Sequence, residues 1–182
     1  MLTVYSRPFH IKDPKGDGSE VTLQKGPMVA MALQEWRDDG MPAWRGRSLE
    51  KNQDKMIRPF ETMLASGHNT FSYGHLLKVA GHDGSYTNLF SWEEIWMAYI
   101  YWKKGYTLYA PNGVLIYHNY DRTYRPNFGP DQEAMADDKG KDHLDKYRQN
   151  GKRMREIIIG DTEYRRYMDS KWGIDLLGRM GN

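Results

Sequence analysis

The chain has 182 residues, of which 39% are hydrophobic and 13% aromatic; it has no cysteine, and its formal net charge is +2. This length is enough for one domain with a sizeable core, the charge is too small to indicate a nucleic-acid partner, and without cysteine neither disulfides nor thiolate zinc sites can form. No apolar run reaches the roughly 20 residues of a membrane helix and the first residues lack the apolar segment of a signal peptide, so we expect a soluble, cytoplasmic protein without a membrane partner.

The first predicted elements are an extended segment and a helix. Leu2–Ile11 is rich in β-forming residues, but Pro8 interrupts it and predicts an edge strand or an irregular arm. A turn over Asp13–Ser19 is followed by Pro27, a residue suited to the first turn of a helix. The next residues, VAMALQEW, include good helix formers, so we expect a helix that Gly40 closes as a left-handed cap.

The segment Met41–Pro59 has no clear hydrophobic period, which favours a solvated loop. It carries the basic residues Arg45, Arg47, Lys51, Lys55 and Arg58. These charges leave a second interpretation open, a cationic loop beside an anionic ligand.

A buried strand that ends in a polar loop is predicted for Phe60–Tyr73. Gly67 in that loop permits close approach of the backbone to a ligand or to a neighbouring segment. His68 and Asn69 are candidate site residues, although a surface turn explains them equally well. Gly74–Ala80 suits a short helix.

The next helix is predicted from Ser91 as its N-cap to Gly105 as its stop, with Glu93 and Glu94 in the first turn. Carboxylates in this place interact favourably with the helix dipole, which is one explanation of the acid pair. Apolar residues surround most of the helix and predict burial on more than one side. These residues are Ile95, Met97, Ala98, Ile100, Tyr101 and Trp102.

After this helix, two short strands are predicted over Tyr106–Tyr109 and Val114–Tyr117, around a turn. The composition then changes to a charged helix over Gln132–Lys152, which most simply presents a solvated face, and apolar residues continue it. The boundaries of a last helix are marked by Gly160, Asp161 and Gly173.

Several familiar catalytic motifs are absent from the sequence, which has no Gly-x-Ser-x-Gly elbow, no Walker loop and no dinucleotide fingerprint. His68, His75 and His82 recur every seven residues, but the turn residues and glycines between them argue against one metal-binding helix face. The remaining candidates are Glu93-Glu94 and His118. A carboxylate pair in a cleft can act as a base or as an electrostatic stabiliser beside a reacting hydroxyl, and imidazole is a common ligand of divalent metals.

Several of these residues occur in an order that resembles the polypeptide GlcNAc-transferase family. The shared run comprises Trp92-Glu93-Glu94-Ile95, Gly105-Tyr106, Ala110-Pro111, Tyr117–Arg122 and Arg125-Pro126. The family pattern is an acid pair that opens a helix, followed by Gly-Tyr, Pro and His-x-Tyr-x-Arg, and the likeness extends from Lys55 to Asp175. Members of the family are GT-A-type glycosyltransferases that transfer N-acetylglucosamine from UDP-GlcNAc to protein hydroxyls, with retention of anomeric configuration.

The resemblance implies roles for particular residues. His118 takes the place of a histidine ligand to Mn²⁺, an ion that bridges the donor diphosphate and stabilises charge on the leaving UDP. Glu93 and Glu94 match the acid pair that faces the donor sugar and the acceptor hydroxyl. Arginine side chains near the site are suited to contact phosphate. The implied substrate-binding residues are Gly67, His68, Asn69, Trp92, Tyr120, Arg122 and Arg125.

The implied fold is α/β, the C-terminal portion of a GT-A-like mixed sheet with flanking helices and a helical C-terminus. We divide the chain into an N-terminal arm with a short helix and a basic loop (1–54), a catalytic and acceptor half (55–130) and a C-terminal helical extension (131–182). No Asp-x-Asp metal motif precedes Trp92, and the segment before residue 55 is short for a nucleotide-binding half. A second polypeptide is therefore expected to supply that half.

Two further expectations concern what the site can accept. Trp92 stands where the family has glycine and is expected to narrow or close the sugar pocket. The split or truncated transferase would act on a UDP-sugar donor and a protein or glycan acceptor. The alternative is a non-catalytic glycan-binding, protein-binding or structural module that kept the fold.

Overall fold

A computed structural model describes residues 1–3, 6–12, 20–24, 29–36, 42–48, 58–66, 70–80, 85, 92–120 and 138–177. The strands within these residues are β1 (Leu2–Thr3), β2 (Arg7–Ile11), β3 (Val21–Leu23), β4 (Val29–Trp36), β5 (Pro42–Ser48), β6 (Phe60–Glu61), β7 (Thr70–Phe71), β8 (Tyr109–Ala110) and β9 (Tyr117–Asn119). The helices are α1 (Gly74–Val79), α2 (Glu93–Lys103), α3 (Asp138–Gly160) and α4 (Thr162–Trp172). Helices combined with mixed parallel and antiparallel sheets confirm the predicted α/β class.

One sheet has four strands in the order β6-β8-β1-β7. β1 runs parallel to β8 and antiparallel to β7, and Leu2 is paired with Tyr109 on one side and with Phe71 on the other. Helices α1 and α2 belong to the long crossover that a parallel pair requires. The predicted strand over Phe60–Tyr73 is two short strands, β6 and β7, on either side of the buried segment Thr62–Ser66.

A second sheet has three strands in the order β3-β2-β9, with β2 antiparallel to β3 and parallel to β9. The prediction of an edge strand or arm around Pro8 is therefore wrong, because β2 lies in the middle of the sheet. The N–H and C=O of one strand residue point to the same side, and Pro8 faces Gln24, just past the end of β3. Its missing N–H therefore points away from β9 and removes no bond from the β2–β9 ladder, while on the β3 side its carbonyl accepts the Gln24 N–H at 3.1 Å.

Strands β4 and β5 form a two-stranded antiparallel sheet, with an irregularity between Leu33 and Glu35. The helix predicted after Pro27, with Gly40 as its cap, is therefore wrong. Ala30–Leu33 is buried without interruption, as in a strand that is covered on both faces. Strand pairing and burial here override the helix propensity of alanine, methionine and leucine.

The solvated loop predicted over Met41–Pro59 is also wrong at its start, because Pro42–Ser48 is strand β5. Trp44 of this strand is paired with Leu33 and is half-buried. The cationic-loop interpretation concerns Arg58, which is exposed, and four basic side chains that lie outside the described ones.

Several helix ends lie where short sequence patterns predicted them. Helix α1 lies at the predicted Gly74–Ala80, and α2 ends before Gly105, whose φ of 77° is in the left-handed region. The N-cap of α2 is Trp92, without a side-chain hydrogen bond, whereas the predicted cap Ser91 lies outside the described residues.

The caps of α4 are those predicted. The Asp161 carboxylate accepts the Tyr164 N–H at 3.0 Å as the N-cap, and Gly173 closes the helix with a φ of 64°. The same carboxylate also accepts bonds from the Tyr99 hydroxyl at 3.1 Å and from the Lys103 ammonium at 2.9 Å. Asp161 therefore joins α2 to the start of α4.

The two strands expected after α2 are present with shifted bounds and in different sheets. β8 covers Tyr109–Ala110 in the four-stranded sheet, and β9 covers Tyr117–Asn119 in the three-stranded sheet. They lie beside β1 and β2 respectively and therefore do not form a hairpin.

The core joins the β4–β5 hairpin to α2, α3 and α4. Helix α2 contacts α3, and α3 contacts α4. As predicted, α2 is covered on more than one side, by its buried residues and by partly buried rings that pack on the same core. The largest of the buried apolar side chains include Leu33, Leu64, Leu76, Trp92, Ile95, Met154, Ile158, Tyr164, Met168 and Leu176.

Two negative findings hold for the described part of the chain. None of its helices is long and apolar enough to span a membrane. The same residues contain no group of three or more histidine, aspartate or glutamate side chains arranged to hold a metal ion.

Candidate functional site

The candidate site is centred on the acid pair in the first turn of α2. Glu93 and Glu94 are both half-buried, and the Oε2 atom of Glu94 is buried. Burial raises the pKa of the Glu93 carboxyl, because desolvation disfavours its charged form. A carboxyl with a raised pKa is a stronger base when ionised, and it retains its proton to higher pH. Both properties suit a group that accepts or donates protons.

The residue before the acid pair points into the core. The Trp92 side chain is 2% exposed, and its ring centroid lies 5.7 Å from that of Trp36 in β4. The indole is therefore covered by protein, and the expectation that Trp92 narrows or closes a sugar pocket stays a prediction. The indole packs against the backbone of α3 at Gly151, where a Cβ would overlap with the ring. The sequence alone did not predict this contact.

The candidate metal ligand His118 is the central residue of β9, paired with Pro8 of β2. Its half-buried ring lies 4.5 Å from the ring of Tyr120, measured between centroids. The Tyr120 hydroxyl in turn donates to the Ser6 carbonyl at 3.0 Å. The Tyr120 ring therefore packs against the imidazole, and pairing with β2 sets the position of the His118 backbone.

The structure places these candidates on separate elements. The acid pair is on α2 and His118 is on β9, while His118 and Tyr120 are in direct ring contact. His75, from the unfavoured seven-residue series, is exposed on α1. The other predicted substrate-binding residues, Gly67, His68, Asn69, Arg122 and Arg125, lie outside the described residues.

An open, mostly apolar pocket of about 570 Å³ lies at the edge of the four-stranded sheet. It is lined by Met1, Leu2, Phe71, Ser72, Tyr73 and Tyr106. Phe71 and Tyr73 are 71% and 91% exposed, which is unusual for aromatic side chains. Tyr106 follows the C-terminal end of α2, and the eleven-residue helix separates it from the acid pair by roughly 16 Å.

Sequence reasoning placed Phe71 and Ser72 at the end of a strand but did not identify this pocket. The available signal was the spacing of two aromatic residues at i and i+2, which puts both on one face of an extended segment. The pocket brings them beside residues from β1 and from the segment after α2, a placement that depends on the sheet order.

Comparison with known families supplies what the geometry alone does not. A family model described as Glycosyltransferase (GlcNAc) matches residues 2–169. The match begins far before residue 55, where the predicted likeness starts, so the N-terminal strands and the β4–β5 hairpin fall within it as well. Neither the curated proteins nor the solved structures contain a match to the chain. Because the family model covers most of the 182 residues, the chain belongs to this glycosyltransferase family.

Proposed function

We propose that the chain takes part in transfer of N-acetylglucosamine from UDP-GlcNAc to a hydroxyl of a protein or glycan, with Glu93 and Glu94 as the reacting carboxyl groups. The observation that carries this proposal is the half-buried acid pair in the first turn of α2, with a raised pKa at Glu93, in a chain of a GlcNAc glycosyltransferase family.

The two carboxyl groups suit complementary tasks. An ionised carboxylate beside the anomeric carbon stabilises the positive charge that develops as the bond to UDP breaks. A second carboxylate accepts a hydrogen bond from the acceptor hydroxyl and orients its oxygen for attack. The raised pKa of Glu93 favours the second task for this residue. Glu94, adjacent in the same helical turn, is then the electrostatic group.

The residues around His118 fit a divalent ion with one protein ligand on this side. The Nδ1 atom is buried, so an ion that arrives from solvent would meet Nε2. Ring contact with Tyr120 restricts rotation of the imidazole. Mn²⁺ bound here would supply charge stabilisation to the diphosphate of UDP. Because the described residues hold no cluster of three metal ligands, the other ligands would come from the diphosphate and from residues beyond the described ones.

The nucleotide-binding half is proposed to come from a second polypeptide. The 182-residue sequence has no Asp-x-Asp, and the acid pair by itself provides no group that recognises uridine. Transfer is therefore expected to require a partner chain that binds UDP, and the assay must include one.

The test is sugar transfer from labelled UDP-GlcNAc, by the chain alone and mixed with candidate partner chains, in the presence of Mn²⁺. Glu93→Gln and Glu94→Gln are each expected to lower the rate by about 100-fold or more, the first through loss of the base beside the acceptor hydroxyl and the second through loss of electrostatic stabilisation. Glu163→Gln is the matched control, because Glu163 is also in the first turn of a helix, α4, but is exposed. Wild-type rates in both acid variants would overturn the assignment of these residues.

The second candidate function is a non-catalytic module that binds a glycan or a protein. The exposed rings of Phe71 and Tyr73 at the open pocket favour it, because such rings stack on the apolar faces of sugars and protein side chains. Calorimetry separates the two functions: the transferase binds UDP in a Mn²⁺-dependent manner together with its partner. The module binds no UDP under any condition and loses affinity for its ligand in Phe71→Ala and Tyr73→Ala.

A further inference from the structure

We infer that Trp92 is a positioning residue: its indole, held between Trp36 of β4 and the backbone of α3 at Gly151, sets where the first turn of α2 places the Glu93 carboxyl group. The catalytic consequence of this role rests on the proposed function. The positioning itself rests on packing between three elements.

The first observation is that the N-cap residue of α2, Trp92, makes no side-chain capping bond. Trp92 occupies the N-cap position, where the side chain of serine, threonine, aspartate or asparagine usually accepts a hydrogen bond from a backbone N–H of the first turn. No side-chain hydrogen bond of this kind is made there. The buried Trp92 ring holds this N-cap residue against the core, and Glu93 is the next residue.

The second observation is the fit between Trp92 and Gly151. A Cβ at Gly151 would lie 2.6 Å from Trp92 Cζ2 and closer still to two other indole atoms. Glycine is unfavourable inside a helix, and Gly151 lies in the interior of α3. Its presence is explained by the indole, which occupies the space that any other side chain would need.

The third observation concerns Trp36, which contacts Trp92. The Trp36 ring packs on Trp92, and the Arg155 guanidinium lies 5.5 Å from the centroid of Trp36. Arg155 is one turn beyond Gly151 on the same helix. Helix α3 therefore contacts both tryptophans, and a shift of α3 moves the ring on which the acid pair depends.

The specificity of this fit allows a clean comparison of variants. Gly151→Ala pushes the indole out of its place. Trp92→Phe removes atoms without adding any, so it keeps an apolar core while loosening the anchor. Combining the two gives the new methyl group the space that the indole vacates. Gly160→Ala is the control, because Gly160 is in the same helix with no atom within 4 Å of an added Cβ.

Two readouts are measured for each variant: the pKa of Glu93 by carboxyl ¹³C NMR, and kcat and KM for transfer with the partner chain present. Gly151→Ala is expected to move the Glu93 pKa towards its ordinary value and to lower kcat by about 100-fold, with a smaller change in KM, because a displacement of about 1 Å is enough for such a loss. Trp92→Phe shifts both readouts in the same direction by less. The double variant recovers part of both, and Gly160→Ala changes neither.

The inference is overturned if Gly151→Ala and Trp92→Phe lower thermal stability while the Glu93 pKa and kcat stay at their wild-type values. Should Gly151→Ala fail to fold, the milder Trp92→Phe decides alone. If the wild-type chain transfers no sugar with any partner, the proposed function fails, and the pKa readout still decides whether Trp92 positions Glu93.

Discussion

Replacement of Asp161 by alanine should destabilise the protein, because this one carboxylate binds donors from two helices. Its Oδ1 accepts the Tyr164 N–H at 3.0 Å, and its Oδ2 accepts the Tyr99 hydroxyl at 3.1 Å and the Lys103 ammonium at 2.9 Å. Removing the carboxylate therefore removes the N-cap of α4 and the link from α4 to α2.

The size of the effect follows from the burial of each donor. Loss of an N-cap costs about 1 kcal/mol. Tyr99 is 7% exposed, and its hydroxyl is partly buried. Because this hydroxyl would lose its acceptor in the variant, the loss adds about 1 kcal/mol. The exposed ammonium of Lys103 adds little, because solvent screens its charge. The free energy of unfolding should therefore fall by about 2 kcal/mol in Asp161→Ala.

Urea unfolding at pH 7, followed by the fluorescence of the six tryptophans, measures this change. Asp169→Ala is the control, because Asp169 is an exposed acid on the same helix α4. An Asp161→Ala midpoint equal to that of the control would refute the reasoning, since it would mean that the three observed bonds contribute nothing net to stability.

The same carboxylate predicts a dependence of stability on pH. Burial alone raises the pKa of Asp161, but the hydrogen bonds from Tyr164, Lys103 and Tyr99 outweigh it, and the pKa is lowered overall. The stability that this group contributes is therefore fully present above the ordinary pKa of aspartate, about 3.9, and is lost as the pH falls through the lower pKa of the folded state. Asp161→Asn should flatten this part of the acid denaturation curve.

Two further predictions concern glycines whose roles the structure separates. Gly46→Ala should destabilise the β4–β5 hairpin by about 1–3 kcal/mol, because a Cβ there would lie 2.5 Å from Val29 Cγ1, whereas Gly113→Ala, with open space around it, should be neutral in the same urea titration. Gly173→Ala should reduce the free energy of unfolding by about 1 kcal/mol, because the φ of 64° at this position strains any residue with a Cβ. Gly160 is the comparison, and equal free energies of unfolding for Gly173→Ala and Gly160→Ala would contradict this explanation.

The elements that the sequence predicted correctly are those with local signals. Gly105 and Gly173 stop helices through their left-handed φ, and Asp161 caps α4 with its own carboxylate. Each signal acts within a few residues of the chain. The end of α2 and both ends of α4 could therefore be predicted closely.

The β4–β5 hairpin could not be predicted in this way. Its residues from Ala30 to Leu33 favour a helix by propensity, and only pairing with β5 and burial on both faces makes them a strand. Pro8 misled for a related reason. A central strand tolerates a proline whose missing N–H faces the end of one neighbouring strand and points away from the other, and only the sheet order and register decide this.

In the candidate site too, some features are local in sequence and others depend on tertiary packing. The acid pair and His118 stand out in the sequence by residue type and spacing, and the family match supports the glycosyltransferase assignment of the whole chain. The direction of the Trp92 side chain depends on Gly151, which is distant in sequence and meets the indole only because α2 packs against α3. The roles of Glu93, Glu94 and His118 in chemistry stay predictions.

The most direct test of the central claim is the rate of GlcNAc transfer by the double variant Glu93→Gln/Glu94→Gln, measured with labelled UDP-GlcNAc, Mn²⁺ and the partner chain. The two substitutions keep side-chain volume and remove only the negative charges. Transfer is expected to fall to the background without the chain, while Glu163→Gln retains the wild-type rate and both proteins unfold at similar temperatures. A double variant that transfers sugar as fast as the wild-type chain would contradict the claim that this acid pair performs the reaction.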